Sequence, residues 1–255
     1  MCLPKIKMKS AYEEIRDYSL NLRDFFDFND IQQALPHLTE KTIIRTLLTY
    51  PEFVRYYERE FYNAAIIKLS QEEKESIWCD IEKEIKVSGY ISSYDLADII
   101  KTKYPKVIEN NSAAGVWRTI AALEYYSDGK YCFDRSMIFP ADCVITPYEI
   151  TEKLLKGKKR FRVEEAPENM QNLLNSWDEY VLFASGMEID KDVYASKEFA
   201  DFDVEKIDAA IEALCGKKVF PLPDIDVSSL PQSGFEWNEW LLRSYLFHYR
   251  KKYAV

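Results

Sequence analysis

The residue types that catalysis needs are scarce in this chain and poorly arranged. His37 and His248 are its only histidines, neither lies in an HExxH pattern, and no CxxC pair is present, so a zinc ligand set is not expected. There is no GxSxG nucleophile turn and no GxxxxGK[ST] phosphate loop, and the seven glycines all stand singly. Asp224 and Asp226, just after Pro223, are a carboxylate pair of the kind that can hold Mg²⁺. The Glu-x-Lys element that would complete such a site is missing, because Glu236 is followed by Trp237 and Asn238. His37, directly after Pro36, reads as a capping or packing residue. Neither an enzyme nor a cofactor is expected.

What remains is chemistry for binding. Lys41 and Arg45 are four apart, one turn of a helix, with Thr39 and Thr42 alongside, and Arg55 and Arg59 follow in an aromatic segment. Arg118 and Lys130 occupy comparable places further on, with Asn110 and Asn111 just ahead. The run Lys156 to Arg162 is the one basic cluster, and its Lys158, Lys159 and Arg160 are candidates for phosphate contact; Phe161 within it serves equally well as a core anchor or a stacking platform. Against these stands a formal charge of −9, from 34 Lys+Arg and 43 Asp+Glu. An acidic chain binds nucleic acid only where its cations converge on one face. A second binding candidate is the aromatic C-terminus, where Trp237, Trp240 and Tyr245 crowd a short stretch and offer a partner or dimer interface.

These candidates need elements to position them. Ser10 with Glu13 caps a first helix; a brief strand follows at Phe25 to Phe28; Asn29 is expected to cap Asp30 to Leu35, and Thr39 the helix from Glu40 to Pro51. Phe53 to Tyr57 and Phe61 to Ile67 read as a hairpin weakened by Ala64 and Ala65, with a helix as the alternative. The order then recurs. Ser70 with Glu73 opens a helix ended by Gly89, Tyr90 to Ser92 is a strand, Ser93 caps a helix to Lys103, and a loop runs to Asn111. Ser112 is expected to open the third helix, and Tyr125-Tyr126 and Tyr131 to Phe133 a hairpin turning at Asp128-Gly129, with Lys130 at its tip. This is a tandem repeat of about 65 residues in element order. Beyond it, Thr146 and Pro147 start a helix, Met170 to Phe183 reads as one helix, 186–203 as an acidic loop, and Val204 to Leu214 as a helix capped by Asp203. A proline-bearing strap spans 220–234 before a terminal helix, Trp237 to Tyr253, expected to bury Trp237, Trp240, Leu241, Tyr245 and Phe247.

Helix, strand, helix, helix, hairpin, stated twice, resembles the tandem winged helix-turn-helix superfamily over about residues 10–138. The fold class expected is therefore mainly α with small β-hairpins (α+β): winged-helix domains at 10–67 and 68–140, then a helical region at 141–255. The resemblance implies double-stranded DNA as partner, read by the third helix and gripped by the wing, in a regulator or a targeting subunit of a larger assembly. The alternative is an acidic protein-interaction scaffold that does not touch nucleic acid. No stretch approaches the ~20 apolar residues of a membrane span, the N-terminus lacks the apolar region of a signal peptide, and five widely spaced cysteines read as reduced thiols. A cytoplasmic location is the expectation.

Overall fold

The computed structural model describes residues 9–22, 24–55, 60–112, 114–215 and 221–249. The chain is a mainly helical α+β protein in two compact units, Met1–Cys143 and Val144–Val255.

The first unit holds both repeats. In the first, α1 (Ala11–Leu22) begins at the Ser10–Glu13 box: the Ser10 N–H donates to Glu13 Oε2 at 2.8 Å and the Glu13 N–H to Ser10 Oγ at 3.3 Å. After β1 (Phe26–Asp27) comes α2 (Phe28–Ala34), capped not by Asn29 but by Asp27, which exchanges backbone hydrogen bonds with Asp30. Thr39 caps α3 (Glu40–Thr49) as expected, and β2 (Phe53–Arg55) and β3 (Glu60–Asn63) form the hairpin. β3 stops where the alanines begin, and Ala64–Ile66 turns into a 3₁₀ helix. The sheet order is β1-β3-β2, with Phe26 opposite Phe61, and the core gathers Ile15, Phe26, Ile31, Ile43, Leu47, Phe53 and Phe61.

The second repeat follows the same plan. The Ser70–Glu73 box opens α4 (Gln71–Ser88), and Gly89 ends it at φ +88°, a left-handed conformation that favours glycine. β4 (Ile91–Ser92) leads into α5 (Ser93–Lys103), capped by Ser92, one residue before the expected Ser93. The expected loop after it contains α6 (Pro105–Asn110), with Pro105 at its first position, where a missing N–H costs nothing. α7 spans Gly115–Tyr126, then β5 (Tyr131–Asp134) and β6 (Met137–Pro140) complete a sheet of order β4-β6-β5. Three expectations fail here. Ser112 does not cap α7, and Tyr125 and Tyr126 belong to that helix, not to a strand. The Asp128-Gly129 turn therefore joins helix to strand, and the hairpin turns at Arg135-Ser136, both at positive φ (48° and 65°).

Strand order and core positions match between the repeats. Ile31 and Leu96 each lie four residues after the cap of the second helix and each is wholly buried. The topology is compatible with a winged helix in both cases.

A third cluster binds the repeats to each other. Tyr62, Ala64 and Ile67 of the first pack on Ala122 of α7. The Tyr62 hydroxyl donates to the Arg118 carbonyl at 2.5 Å and the Tyr126 hydroxyl to the Ile67 carbonyl at 3.0 Å. Asn111 clamps the connector: its Oδ1 accepts from the Lys68 N–H at 2.7 Å and its Nδ2 donates to the carbonyls of Lys68 and Val107, both at 2.9 Å.

In the second unit, Thr146 and Glu149 box the start of α8 (Pro147–Leu155). The single helix expected from Met170 to Phe183 is two, α9 (Glu168–Asn175) and α10 (Tyr180–Ser185). The expected acidic loop contains a hairpin, β7 (Met187–Asp190) and β8 (Val193–Ala195), turning at Asp192 with φ +57°. α11 (Val204–Cys215) follows. The strap is not fully extended, since Leu222–Asp224 and Val227–Ser229 are 3₁₀ turns. Gly234 is required where it stands: its φ is +80° and a Cβ there would lie 2.5 Å from the Phe199 carbonyl oxygen. α12 (Glu239–Tyr249) packs Leu241, Leu242, Tyr245 and Leu246 inward. Arg250 to Val255 lie outside the described residues.

Candidate interaction surface

α3 sorts its residues by a simple periodicity. Ile43, Thr46 and Leu47 face the core, so Lys41, Ile44, Arg45 and Leu48 project from the opposite side. Two of those four are apolar and well exposed, Ile44 at 42% and Leu48 at 65%. The Thr39 and Thr42 hydroxyls lie 2.9 Å from each other at the helix start, where Thr39 also accepts from the Thr42 N–H. Their structural role is the cap.

Around this face the structure forms two adjoining hollows. A pocket of about 230 Å³ lies between α2, α3 and the sheet, lined by Phe28, Ile44, Leu47, Leu48 and Phe61, with Glu40 and Arg55 at its rim. A cleft of about 650 Å³ between the two repeats is lined by Leu48 and Tyr50 on one side and Trp117, Ile120 and Glu124 on the other. Leu47, Leu48, Arg55 and Phe61 line both. Trp117, half exposed, stands edge-on to Tyr94, and Tyr50 stacks on Tyr12 at 4.1 Å, so two aromatic rings are held by neighbours while still facing the cleft.

The other sequence candidates fall in different places. Arg55 is exposed on β2; Arg59 lies outside the described residues. Arg118 is half-buried, its guanidinium 3.6 Å over the Phe25 ring, and it lines a different cavity of the first unit, about 750 Å³, together with Lys68, Asn110 and Asn111. Lys130 is exposed but precedes β5, away from the hairpin tip that Arg135 occupies.

In the second unit, Phe161 is core. It is 3% exposed and pairs with Tyr194 as an extra backbone bridge, at 2.8 and 2.9 Å. Lys158 and Lys159 lie over the rings of Phe161 and Phe199, at 4.5 and 5.4 Å, and Arg160 is exposed. Tyr245 is fully buried, its hydroxyl donating to Asp208 Oδ1 at 2.9 Å, which removes it from any partner interface. Trp237 is half-buried, stacked on Phe202, with its indole N–H on the Pro231 carbonyl. Trp240 edges a separate cavity of about 680 Å³ that also contains Glu164, Asp178, Glu179 and Asp192.

The histidines have plain roles. His37 Nε2 is 2.5 Å from Glu14, and His248 Nε2 is 3.0 Å from the Phe183 carbonyl, with burial and then Lys197 lowering the His248 pKa. Asp226 caps a 3₁₀ turn through the Ser228 hydroxyl and N–H, bonds that hold its carboxyl below the ordinary value. Among the described residues no group of three or more His, Cys, Asp or Glu is placed to hold a metal ion, and no helix is long and apolar enough to cross a membrane.

Ile44, Leu48, Tyr50 and Trp117 are uncharged, so the pattern of cations in the sequence does not single them out. A signal was present in the adjacent pairs Ile43-Ile44 and Leu47-Leu48. Neighbours on a helix point about 100° apart, so a narrow core stripe accommodates one of each pair and leaves the other outside. No protein family, no curated protein and no solved structure matches this chain.

Proposed function

We propose that this chain is a protein-interaction module built on two winged-helix repeats that act as one body. The observation that carries the reading is the exposed apolar face where α3 and α7 meet one cleft, with Leu48 and Trp117 at its mouth. Contiguous exposed apolar surface is the mark of protein contact, and DNA contact calls chiefly for cations. The third helix of the second repeat is also partly occupied, because Arg118 and Ala122 pack into the joint with the first repeat. The net charge of −9 favours the same reading.

A DNA-binding reading keeps one specific support. Lys41, Arg45 and Arg55 all face solvent on α3 and β2 of the first repeat. Electrophoretic mobility shift in about 50 mM salt, where electrostatic binding is strong, separates the two. The interaction module leaves a mixed-sequence duplex unshifted. A saturable shift by the native chain that Lys41→Glu/Arg45→Glu abolishes would replace this reading with DNA binding through the first repeat.

A further inference from the structure

We infer that the cavity of about 680 Å³ in the second unit binds an aliphatic polyamine, a flexible chain carrying two or more ammonium groups. All of its lining residues belong to the second unit, so the inference stands apart from the interaction reading of the first.

Three elements build most of the cavity. α10 supplies Tyr180 and Phe183, the β7–β8 hairpin supplies Glu188, Asp192 and Tyr194, and α12 supplies Trp240 and Arg243. α12 is fixed to β7 by two bonds: the Glu188 N–H donates to Ser244 Oγ at 2.9 Å, and Asn238 Nδ2 donates to the Ile189 carbonyl at 2.7 Å. The walls are thus preformed, and the volume is that of a small-molecule site.

Charge sets the sign of the ligand. The lining carries five carboxylates, Glu164, Asp178, Glu179, Glu188 and Asp192, against two cations, Lys191 and Arg243. Arg243 is engaged within the wall, 3.7 Å from the buried Glu188 and 4.5 Å over the Phe183 ring. Among the described residues the other four carboxylates and Lys191 make no ion pair. Burial raises the Glu188 pKa, the Asp192 N–H and Arg243 oppose the rise, and the Asp192 and Glu179 carboxylates add to it. The Tyr194 hydroxyl is pushed up to about 12, by burial first and then by Glu188, Asp192 and Glu179. This uncompensated negative field attracts a cation.

Spacing and the rings set the class. Among the described residues no three carboxylates come together to hold a metal ion, so an extended cation with separated charges suits the lining better than a compact one. The Trp240 side chain, partly buried on the wall, has no ring contact, cation contact or hydrogen bond among the described residues. Tyr180, 48% exposed, offers a second ring, and Leu182 adds apolar wall. A methylene chain lies against such surfaces while its ammonium groups meet carboxylates and π faces. Arg243, over a ring and against a carboxylate, makes the same two contacts within the chain.

The test titrates the full chain with spermidine by isothermal calorimetry in about 150 mM salt, where attraction between distant exposed charges is screened. One saturable site is expected. Glu179→Gln/Asp192→Asn should weaken it at least about fivefold, the loss of two charge contacts. Trp240→Leu should weaken it about threefold or more, and Trp240→Phe, which keeps a π face, should restore part of the loss. Glu179 and Asp192 are exposed, so the charge variant should melt with the native chain. A heat that does not saturate, or a site unchanged in the charge variant, would overturn the inference. So would displacement of spermidine by an equal concentration of Mg²⁺, which responds to charge alone. Native affinity in Trp240→Leu would remove the ring from the site and the polyamine class with it. A tri-lysine peptide that binds more tightly than spermidine and weakens in the same variants would replace the polyamine by a basic peptide segment.

Discussion

The cleft between the repeats exists only while they are locked together, and Asn111 is the residue on which that lock can be measured. Its side chain is 7% exposed and makes three hydrogen bonds, two with the Lys68 backbone of the connector and one with Val107 in α6. Asn111→Ala removes all three bonds at a site on the wall of a cavity of about 750 Å³ beside the exposed Lys68, so water replaces the amide in part. A hydrogen bond contributes about 0.5–1.5 kcal/mol net, and the losses at one side chain are not additive, so about 1.5–3 kcal/mol is expected. At about 2–4 °C per kcal/mol for a unit of this size, the midpoint of the first unit falls by roughly 3–12 °C. Asn111→Asp is the informative second variant. It keeps the acceptor for the Lys68 N–H but sets carboxylate oxygens against two carbonyls, so it should be no more stable than the alanine variant. Near-ultraviolet circular dichroism during thermal unfolding reads both. A midpoint within 2 °C of native for Asn111→Ala would refute the idea that this amide joins the repeats.

Three further outcomes follow from other parts of the chain. Burial alone would raise the Asp80 pKa, but side-chain hydrogen bonds from Lys83, Lys103 and Tyr104 outweigh it and hold the carboxyl at about 2 against an ordinary 3.8. A pKa lowered by folding gives stability that is complete above pH 4 and lost as the pH falls towards 2; urea titrations at pH 5, 3.5 and 2.5 should show this loss in the native chain and a shallower one in Asp80→Asn. Replacing the turn pair by Arg135→Asn and Ser136→Gly, residues suited to two successive positive φ angles, should stabilise the second repeat by about 0.5–1 kcal/mol in the same titration, whereas a turn elsewhere predicts no gain. Deleting residues 235–255 removes Leu241, Leu242 and Tyr245, each wholly buried, so the truncated chain should aggregate on size-exclusion chromatography; a soluble, equally stable monomer would show that α12 is dispensable to the second unit.

Local signals were legible wherever the physics is local. A cap and its box involve residues three apart, and Ser10–Glu13 and Ser70–Glu73 form as read, as do the Thr146 cap and the glycine stop at Gly89. The same reasoning missed by a residue or two where competing capping side chains stand side by side, as Asp27 and Ser92 displaced Asn29 and Ser93. Strand or helix at Tyr125-Tyr126 was not a local matter. Those aromatic residues suit a strand, yet the Tyr126 hydroxyl reaches the carbonyls of Ala64 and Ile67 in the other repeat, and that packing keeps α7 running.

The surface divides along the same line. Sequence spacing put Lys41, Arg45 and Arg55 on the outside of the first repeat, because charged side chains on an amphipathic helix or an edge strand face water unless paired. It also made Arg118 look like their counterpart. Folding draws Arg118 over the Phe25 ring, more than ninety positions away along the chain, on the wall of a different cavity, and leaves Leu48 and Trp117 exposed at one cleft. Helical period assigns a side chain to a face, but which faces meet depends on contacts between residues far apart in sequence, and those contacts turn a stretch of apolar helix into either core or a place for a partner.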